Sequence, residues 1–387
     1  YLWGYYTSLI TMRMRLWGEL QDPLARAQNL DRLGLYHYYI GQISYAHEFF
    51  EASLAIAREI GNRRVEGICL EHIARTQLTQ GQFEQANGFY EQALAIAREM
   101  GNRQHEGVCL GRLGITARRY GFATQAIQLF GEALMIAQET ADHAEEARHL
   151  GDLGSAYRDL GEFTKAIHFH QQAIALTREI GYRREEIIWL HSLGTDYEML
   201  NRVDEAMAYY EEALGIAYDI GYRVGIGQQL VNLGRILLHQ KKWGQAADYC
   251  REAIALDMSG VSPRGLLMLG ITLLQFKPKD LTIAREAFAN AVIGYQNQFR
   301  DEPESYSYFY PLATTLVGQA ICDSYWADLS QRANLLAPAL AEYRHALDIT
   351  SAPGVVLDVL RDLELIRTAG VEGLEPVFEL LEGTLNG

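Results

Sequence analysis

Proline and long apolar runs are both scarce in this sequence. It has 8 prolines in 387 residues, and 49% of its residues are hydrophobic, a balance that excludes a disordered or proline-rich chain. No run approaches the roughly 18 consecutive apolar residues that a membrane-spanning helix needs. The composition therefore predicts a folded, helical protein without a membrane partner.

Positive charge is also in short supply. The chain has 34 Lys and Arg against 49 Asp and Glu, which gives a formal net charge of −15. Nucleic acids and anionic membrane surfaces both attract basic proteins, because their phosphates must be neutralised. We therefore expect neither as a partner, which leaves a protein or a peptide.

Cysteines are few and show no metal-binding or redox spacing. The four, Cys69, Cys109, Cys250 and Cys322, include no CxxC pair, so we interpret them as buried core residues. A reduced, cytoplasmic location follows, and no signal peptide is visible. The chain begins with Tyr1 instead of methionine, which suggests a domain of a longer protein.

The motifs of catalysis and metal binding are missing as well. There is no GxxxxGK[ST] phosphate loop, and Gly225–Gly227 lacks the third glycine of a dinucleotide site. There is no HExxH, and His168 and His170 lie only two residues apart, so on a helix they point to different faces. We predict no catalytic residue, no cofactor and no metal, and a structural role for His170.

What the sequence does contain is a repeat of 40 residues. Each copy has a small residue in a first apolar stripe and two small residues in a second stripe, all at helical spacing. The first series is Gly34, Ala74, Gly114, Gly154, Gly194 and Gly234, and a later one is Ala46, Ala86, Ala126, Ala166, Ala206 and Ala246. Glycines after each stripe, such as Gly161 and Gly181, mark turns. Neither stripe can be buried alone, whereas stacked copies bury both.

This pattern resembles the tetratricopeptide repeat, whose signature has Leu-Gly, a tyrosine three residues on, and later two alanines around an aromatic residue. In the fourth copy these are Leu153-Gly154, Tyr157, Ala166 and Ala173, with His170 in the aromatic position. The 40-residue unit is longer than the usual 34. It is similar to the long arrays of kinesin light chains, polarity adaptors and the sensor halves of STAND-type NTPases.

The resemblance implies an all-α, right-handed superhelical solenoid of antiparallel helix pairs. We predict an aromatic N-terminal helix or degenerate repeat in residues 1–28 and six repeats in 29–258. Two divergent helix pairs are expected in 259–350, and C-terminal capping helices in 351–387.

In this family the first helices of successive repeats line a concave groove. Carried onto this chain, the resemblance places a cationic and polar strip in that groove, and its candidate partner-binding residues are Tyr38, Arg75, Arg118, Arg148, Ser155, Arg158, His191, Thr195 and Arg235. Gly111 and Gly151 are expected to widen the groove. The arginines either grip carboxylates of a partner in bidentate fashion or pair internally with Glu71, Asp152, Asp159 and Glu198.

Function follows from the resemblance and from the absence of a catalytic motif. We expect a non-catalytic surface that recognises a protein or a peptide, with an acidic segment of that partner as the candidate recognition element. The oligomeric state of the chain is left open. The resemblance implies the sensing region of a larger STAND-type NTPase. The alternatives are a free-standing adaptor that assembles a protein complex, and an enzyme with an unrecognised site in the C-terminal segment.

Overall fold

A computed structural model describes residues 2–17, 20–256, 261–275, 281–301, 306–323, 326 and 328–385. Within these ranges there are nineteen helices and no strand. The helices are α1 Leu2–Trp17, α2 Pro23–Tyr39, α3 Ile43–Glu59, α4 Arg63–Thr79, α5 Phe83–Glu99, α6 Arg103–Arg119, α7 Ala123–Glu139, α8 His143–Asp159, α9 Phe163–Glu179, α10 Arg183–Met199, α11 Val203–Asp219, α12 Arg223–His239, α13 Trp243–Ala255, α14 Ser262–Gln275, α15 Thr282–Asp301, α16 Tyr306–Ile321, α17 Leu329–Ile349, α18 Pro353–Thr368 and α19 Glu375–Gly383. The predicted all-α class is confirmed.

The helices belong to two compact units. The first lies within Tyr1–Thr116, Gln128–Asp142 and Asp301–Glu304. The second lies within Ala117–Ile127, His143–Arg300 and Ser305–Gly387. In each unit, helices that follow one another along the chain pack side by side as antiparallel pairs.

The 40-residue period consists of two equal halves. Every helix from α2 to α12 has 17 residues and is followed by a three-residue connection. After α3 the connection is a Schellman turn, in which the Asn62 amide donates to the Ala57 carbonyl at 2.8 Å and the Gly61 amide to the Arg58 carbonyl at 3.1 Å. Gly61 has a φ of 67° there, which glycine adopts without steric cost. The turns predicted at Gly41, Gly81, Gly121, Gly161, Asn201 and Lys241 all have positive φ.

In several repeats a glycine of the first helix lies beneath a ring of the second helix. A Cβ added at Gly34 would lie 2.5 Å from the Phe50 ring, and one at Gly194 would lie 2.6 Å from the Tyr210 ring. Ala46 and Ala206, one turn before those rings, have no exposed surface. Small residues are therefore required at these positions because the two helices approach closely.

The N-terminal helix α1 packs against α2. The Tyr6 ring lies 5.8 Å from the Tyr36 ring and 5.4 Å from the Tyr39 ring, and the Arg13 guanidinium donates to the Asn29 side chain at 3.0 Å. The other aromatic residues that made this segment unusual, Tyr1 and the side chains of Trp3, Tyr5 and Trp17, lie outside the described residues. So do Ser259 and Gly260, at the start of the predicted divergent pairs.

Helix α18 packs back onto earlier helices of the second unit. It packs against α8, α14 and α16, which are all first helices of their pairs, and it buries Val356, Val359 and Leu363. The side-chain amide of Gln275 on α14 donates to the Leu365 carbonyl at 2.8 Å. The groove side of the second unit is therefore occupied by the chain's own helix.

None of the helices in the described ranges has the length and hydropathy needed to cross a membrane.

Candidate ligand-binding groove

Two of the predicted groove residues meet in the first unit. The Arg75 guanidinium on α4 lies 4.4 Å from the centre of the Tyr38 ring on α2, a cation–π contact. The Tyr38 hydroxyl lies 3.1 Å from the Thr79 hydroxyl. The Nε and Nη2 atoms of Arg75 are buried without a hydrogen-bond partner. Stacking thus holds a cation in place without neutralising it.

Five other predicted residues converge in the second unit. Arg118, Arg158, His191, Thr195 and Arg235 all line one cavity of about 250 Å³ between the first helices and α18. The structure places these five residues together because they occupy similar positions on the first helices of successive repeats.

The arginines of this cavity have carboxylate partners within the chain. Arg118 donates to Asp159 at 3.1 Å, and Arg158 lies 3.4 Å from the Asp196 carboxylate. Asp159 and Asp196 are both buried, so these pairs are shielded from solvent. Of the two alternatives open at the sequence level, internal pairing describes these arginines. Asp159 was one of the expected partners, whereas Asp196 was not.

Arg235 is a buried cation at the centre of an ion-pair network. Its side chain is 2% exposed, and it reaches Glu198 at 3.0 Å, Asp358 at 3.1 Å and Asp362 at 3.5 Å. Arg361 of α18 in turn pairs with Glu198. Two helices of the repeat array, α10 and α12, are therefore joined to α18 by ion pairs. Arg235 and Glu198 are each 2% exposed, and a buried charge is unfavourable unless it is paired.

The network sets the protonation of its carboxyl groups. Burial alone would raise the pKa of Glu198, but the guanidiniums of Arg235 and Arg361 outweigh it, and the pKa lies below its usual range. The same balance lowers the pKa of Asp358. Burial and the neighbouring Asp358 raise the pKa of Asp362. Of the two carboxyl groups of α18, Asp358 is the one whose ionised form the guanidiniums favour more strongly.

His191 and Thr195 contribute neutral polar groups to the cavity wall. The Asn232 amide donates to Nδ1 of His191 at 3.0 Å, and the Thr195 hydroxyl lies 3.0 Å from the Tyr210 hydroxyl. Burial, with the guanidiniums of Arg264, Arg158 and Arg235, lowers the pKa of His191 to about 4. The imidazole is therefore uncharged near neutral pH.

Ser155 belongs to a buried Ser–His–Asp arrangement. Its hydroxyl lies 3.4 Å from Nε2 of His170, and Nδ1 of His170 lies 2.5 Å from the Asp196 carboxylate. His170 and Asp196 have no exposed surface, so a substrate has no path to the imidazole. The equivalent positions of the next repeat hold the Thr195–Tyr210 contact, which indicates a structural role. The predicted structural interpretation of His170 agrees with these contacts.

Two residues that the sequence analysis placed in the groove do not contribute to the cavity as expected. Arg148 pairs with Glu145 on its own helix and is not among the lining residues. Gly151 was expected to widen the groove, and this was wrong, because the Trp189 indole fills the space at 2.5 Å from where a Cβ would lie. Among the described residues, no cluster of three or more acidic, histidine or cysteine side chains is suited to a metal ion.

Sequence reasoning missed several lining residues from the divergent C-terminal pairs. Arg264 on α14 and Tyr295 on α15 both line the cavity, as do Asp358 and Asp362 on α18. They fall after Ala255, where the 40-residue spacing ends. No signal of the repeat could have placed them.

Comparison with known proteins agrees with this architecture. Models of the tetratricopeptide repeat match residues 22–99, 108–179 and 156–219, and a second such model matches 229–262. A search of curated proteins finds no match.

Solved structures with the same fold share little sequence with this chain. Aspartyl phosphate phosphatase F from Bacillus subtilis has a TM-score of 0.59 and 13% identity, covering 90% of this chain and 91% of that one. The Rap conjugation regulator of plasmid pLS20, solved with the Phr* peptide, has a TM-score of 0.59 and 12% identity, covering 90% and 98%.

A third similar structure is a STAND protein with a tetratricopeptide repeat sensor from Pyrococcus horikoshii. Its TM-score is 0.53 and its identity 16%, and the match covers 93% of this chain but only 54% of that protein. Such low identities establish the fold alone. The family models, the helix pairs and the glycine–ring packing together show that this chain belongs to the tetratricopeptide repeat family.

Proposed function

We propose that this chain is a non-catalytic region that recognises a protein or peptide partner, and that it is the sensing part of a STAND-type NTPase acting in the cytoplasm. The similar structures support this proposal by analogy, since one is a STAND protein with a repeat sensor and another holds a peptide. The four cysteines are unpaired and buried, as is usual in a reducing compartment.

One observation carries the recognition proposal. In the second unit, the first-helix face already holds a helix with acidic residues, through the contacts of Arg235 with Asp358 and Asp362. This face is thus complementary in shape and charge to an acidic, amphipathic segment. The partner that we propose has a segment of the same chemistry.

In the first unit, we propose that Tyr38 and Arg75 receive that segment. Arg75 has no ion pair with any residue that the structure describes, unlike the other predicted groove arginines. A guanidinium fixed by stacking loses little conformational freedom when it binds a carboxylate. The stacking therefore prepares Arg75 for an acidic partner.

Selection from a displayed peptide library against the whole chain tests this proposal. We expect enrichment of segments rich in Asp and Glu. Arg75→Gln should reduce the affinity for the selected peptide by about 10-fold or more, since a charge-assisted hydrogen bond contributes roughly 1.5–3 kcal/mol.

A matched control is Arg251→Gln, because Arg251 is exposed and pairs only with Asp248 on its own helix. It should leave peptide affinity unchanged. Selection of peptides without acidic residues, or equal affinity for the Arg75→Gln variant, would refute the proposed site. If the sequenced gene lacks a nucleotide-binding domain, the adaptor alternative replaces the STAND assignment while peptide recognition stands.

A further inference from the structure

One arginine of the cavity beneath α18 has no contacting partner among the residues that the structure describes. Arg118, Arg158 and Arg235 each have a carboxylate within 3.4 Å. Arg264, which lines the same cavity, forms neither a hydrogen bond nor an ion pair with any of the described residues. Its charge is nevertheless felt nearby, because it helps to lower the pKa of Asp358. Within the described ranges, the Arg264 guanidinium therefore has no carboxylate in contact with it.

A second polar group in the cavity wall also lacks a partner. Tyr295 is only 4% exposed, and its hydroxyl is buried without a hydrogen-bond partner. A buried hydroxyl without a partner costs about 1–3 kcal/mol, so such groups are rare unless a ligand or water completes them. The Tyr295 hydroxyl can donate to an oxygen that enters the cavity.

The remaining wall and the size of the cavity restrict what can enter. Leu267, Val355 and Val359 give the cavity an apolar side. Its volume of about 250 Å³ is below the roughly 300–1,000 Å³ that is usual for drug-sized ligands. Asp159, Asp358 and Asp362 also line it, so a second negative charge on the ligand would be repelled.

We propose that this cavity binds a small monocarboxylate with an apolar body, whose carboxylate pairs with Arg264 and accepts a hydrogen bond from Tyr295. The apolar part of the ligand packs on Leu267, Val355 and Val359. The site is distinct from the peptide surface at Tyr38 and Arg75, and peptide recognition there does not depend on it.

Benzoate and hexanoate, with benzamide and hexanamide as neutral counterparts of the same shape, are suitable probes. At matched ionic strength, the carboxylates should raise the melting temperature of the whole chain by binding the folded state, and calorimetry should give their affinity. The amides should bind at least 10-fold more weakly. Equal effects of acid and amide, no effect of either carboxylate, or tighter binding of inorganic phosphate would each overturn the proposal.

Two variants assign the binding to the named residues. Arg264→Gln should reduce benzoate affinity at least 10-fold, whereas Arg251→Gln, at an exposed ion pair outside the cavity, should not change it. Tyr295→Phe should reduce the affinity for benzoate. It should leave the melting temperature of the free protein unchanged or raise it, because it removes a buried hydroxyl without a partner. A Tyr295→Phe variant that melts lower and binds benzoate normally would show a merely structural residue.

Discussion

At the scale of single residues, the polar exception in the repeat is the His170–Asp196 pair. Other copies hold an aromatic ring at the His170 position, such as Phe130 and Tyr210, and an apolar residue or threonine at the Asp196 position, such as Ala156 and Thr116. Both members of the pair have no exposed surface. His170 and Asp196 therefore depart from the repeat together because each provides the buried hydrogen-bond partner of the other.

We expect His170→Phe to destabilise the protein by about 1–3 kcal/mol, although phenylalanine is found in the same position elsewhere. The reason is that Asp196 would lose its shortest hydrogen bond while buried. Urea unfolding measures the change. Adding Asp196→Ala should recover part of the loss, and strict additivity of the two substitutions would contradict a coupled pair.

The pH dependence of stability should report on His191. Its folded-state pKa is about 4, against an ordinary value of 6.5. Between these values the unfolded chain binds a proton that the folded chain does not, so the free energy of unfolding falls as the pH is lowered. Above about pH 6.5 the imidazole is neutral in both states, so His191 no longer lowers the free energy of unfolding.

His191→Asn should flatten that slope by roughly 1–3 kcal/mol over the interval. The measurement is urea unfolding at a series of pH values, with substitution of the exposed His168 as a control that keeps the slope. An unchanged slope in the His191 variant would show that its imidazole is protonated in the folded protein.

At the scale of elements, α18 is held by a buried charge network as well as by apolar packing. Arg235 supplies the cation for Glu198 and Asp358 together. A buried ion pair contributes little relative to an apolar replacement, but removal of one member leaves the others uncompensated. Removing Arg235 alone should therefore cost more stability than replacing the whole network by apolar residues.

We predict that Arg235→Met destabilises the second unit by about 3–5 kcal/mol, with faster hydrogen exchange in α18. The exposed Arg251→Met, whose partner Asp248 is also exposed, should leave the unfolding free energy unchanged. Adding Asp358→Asn to Arg235→Met should recover part of the loss, because it removes one carboxylate left without its cation while Glu198 keeps its pair with Arg361. If the single variant unfolds like the unmodified chain, the network does not hold α18.

At the scale of the whole molecule, stability should be local, because each repeat contacts its neighbours. Gly194→Ala places a Cβ 2.6 Å from the Tyr210 ring, whereas Gly215→Ala, in the same repeat, places one in open space. The first should destabilise by about 1–3 kcal/mol. The second should stabilise by roughly 0.5–1 kcal/mol, because alanine is the better helix former.

Hydrogen exchange mapped along the chain checks where the Gly194→Ala effect is felt. Protection should fall in α10, α11 and the helices that flank them, and it should be retained in α2 to α5. A uniform loss over both compact units would contradict a repeat array with nearest-neighbour coupling.

Sequence reasoning reached the fold because its signals repeat, and it failed where they do not. Gly61, Gly101 and Gly181 share one spacing, and each ends a helix with positive φ. The groove positions of Arg118, Arg158 and Arg235 followed from the same period. By contrast, the contact between Arg235 and Asp358 joins residues 123 positions apart, and no periodic pattern links α18 to the groove. The contact between the Trp189 indole and Gly151 likewise joins two different helices, and the sequence alone does not show which residue fills the space beside that glycine.

The equal lengths of the two half-repeats have a consequence for how such a gene can change. Because every junction from α2 to α12 has the same helix length and connection, an in-frame duplication of one repeat would create two junctions like those already present. Linking ion pairs such as Arg63 with Glu99 and Arg103 with Glu139 also recur with the period, so the copied unit would bring its own contacts to both neighbours. We therefore expect recombination that adds or removes one whole repeat between α2 and α7 to preserve the helix-to-helix contacts of the array, so that the number of copies becomes a trait on which selection can act.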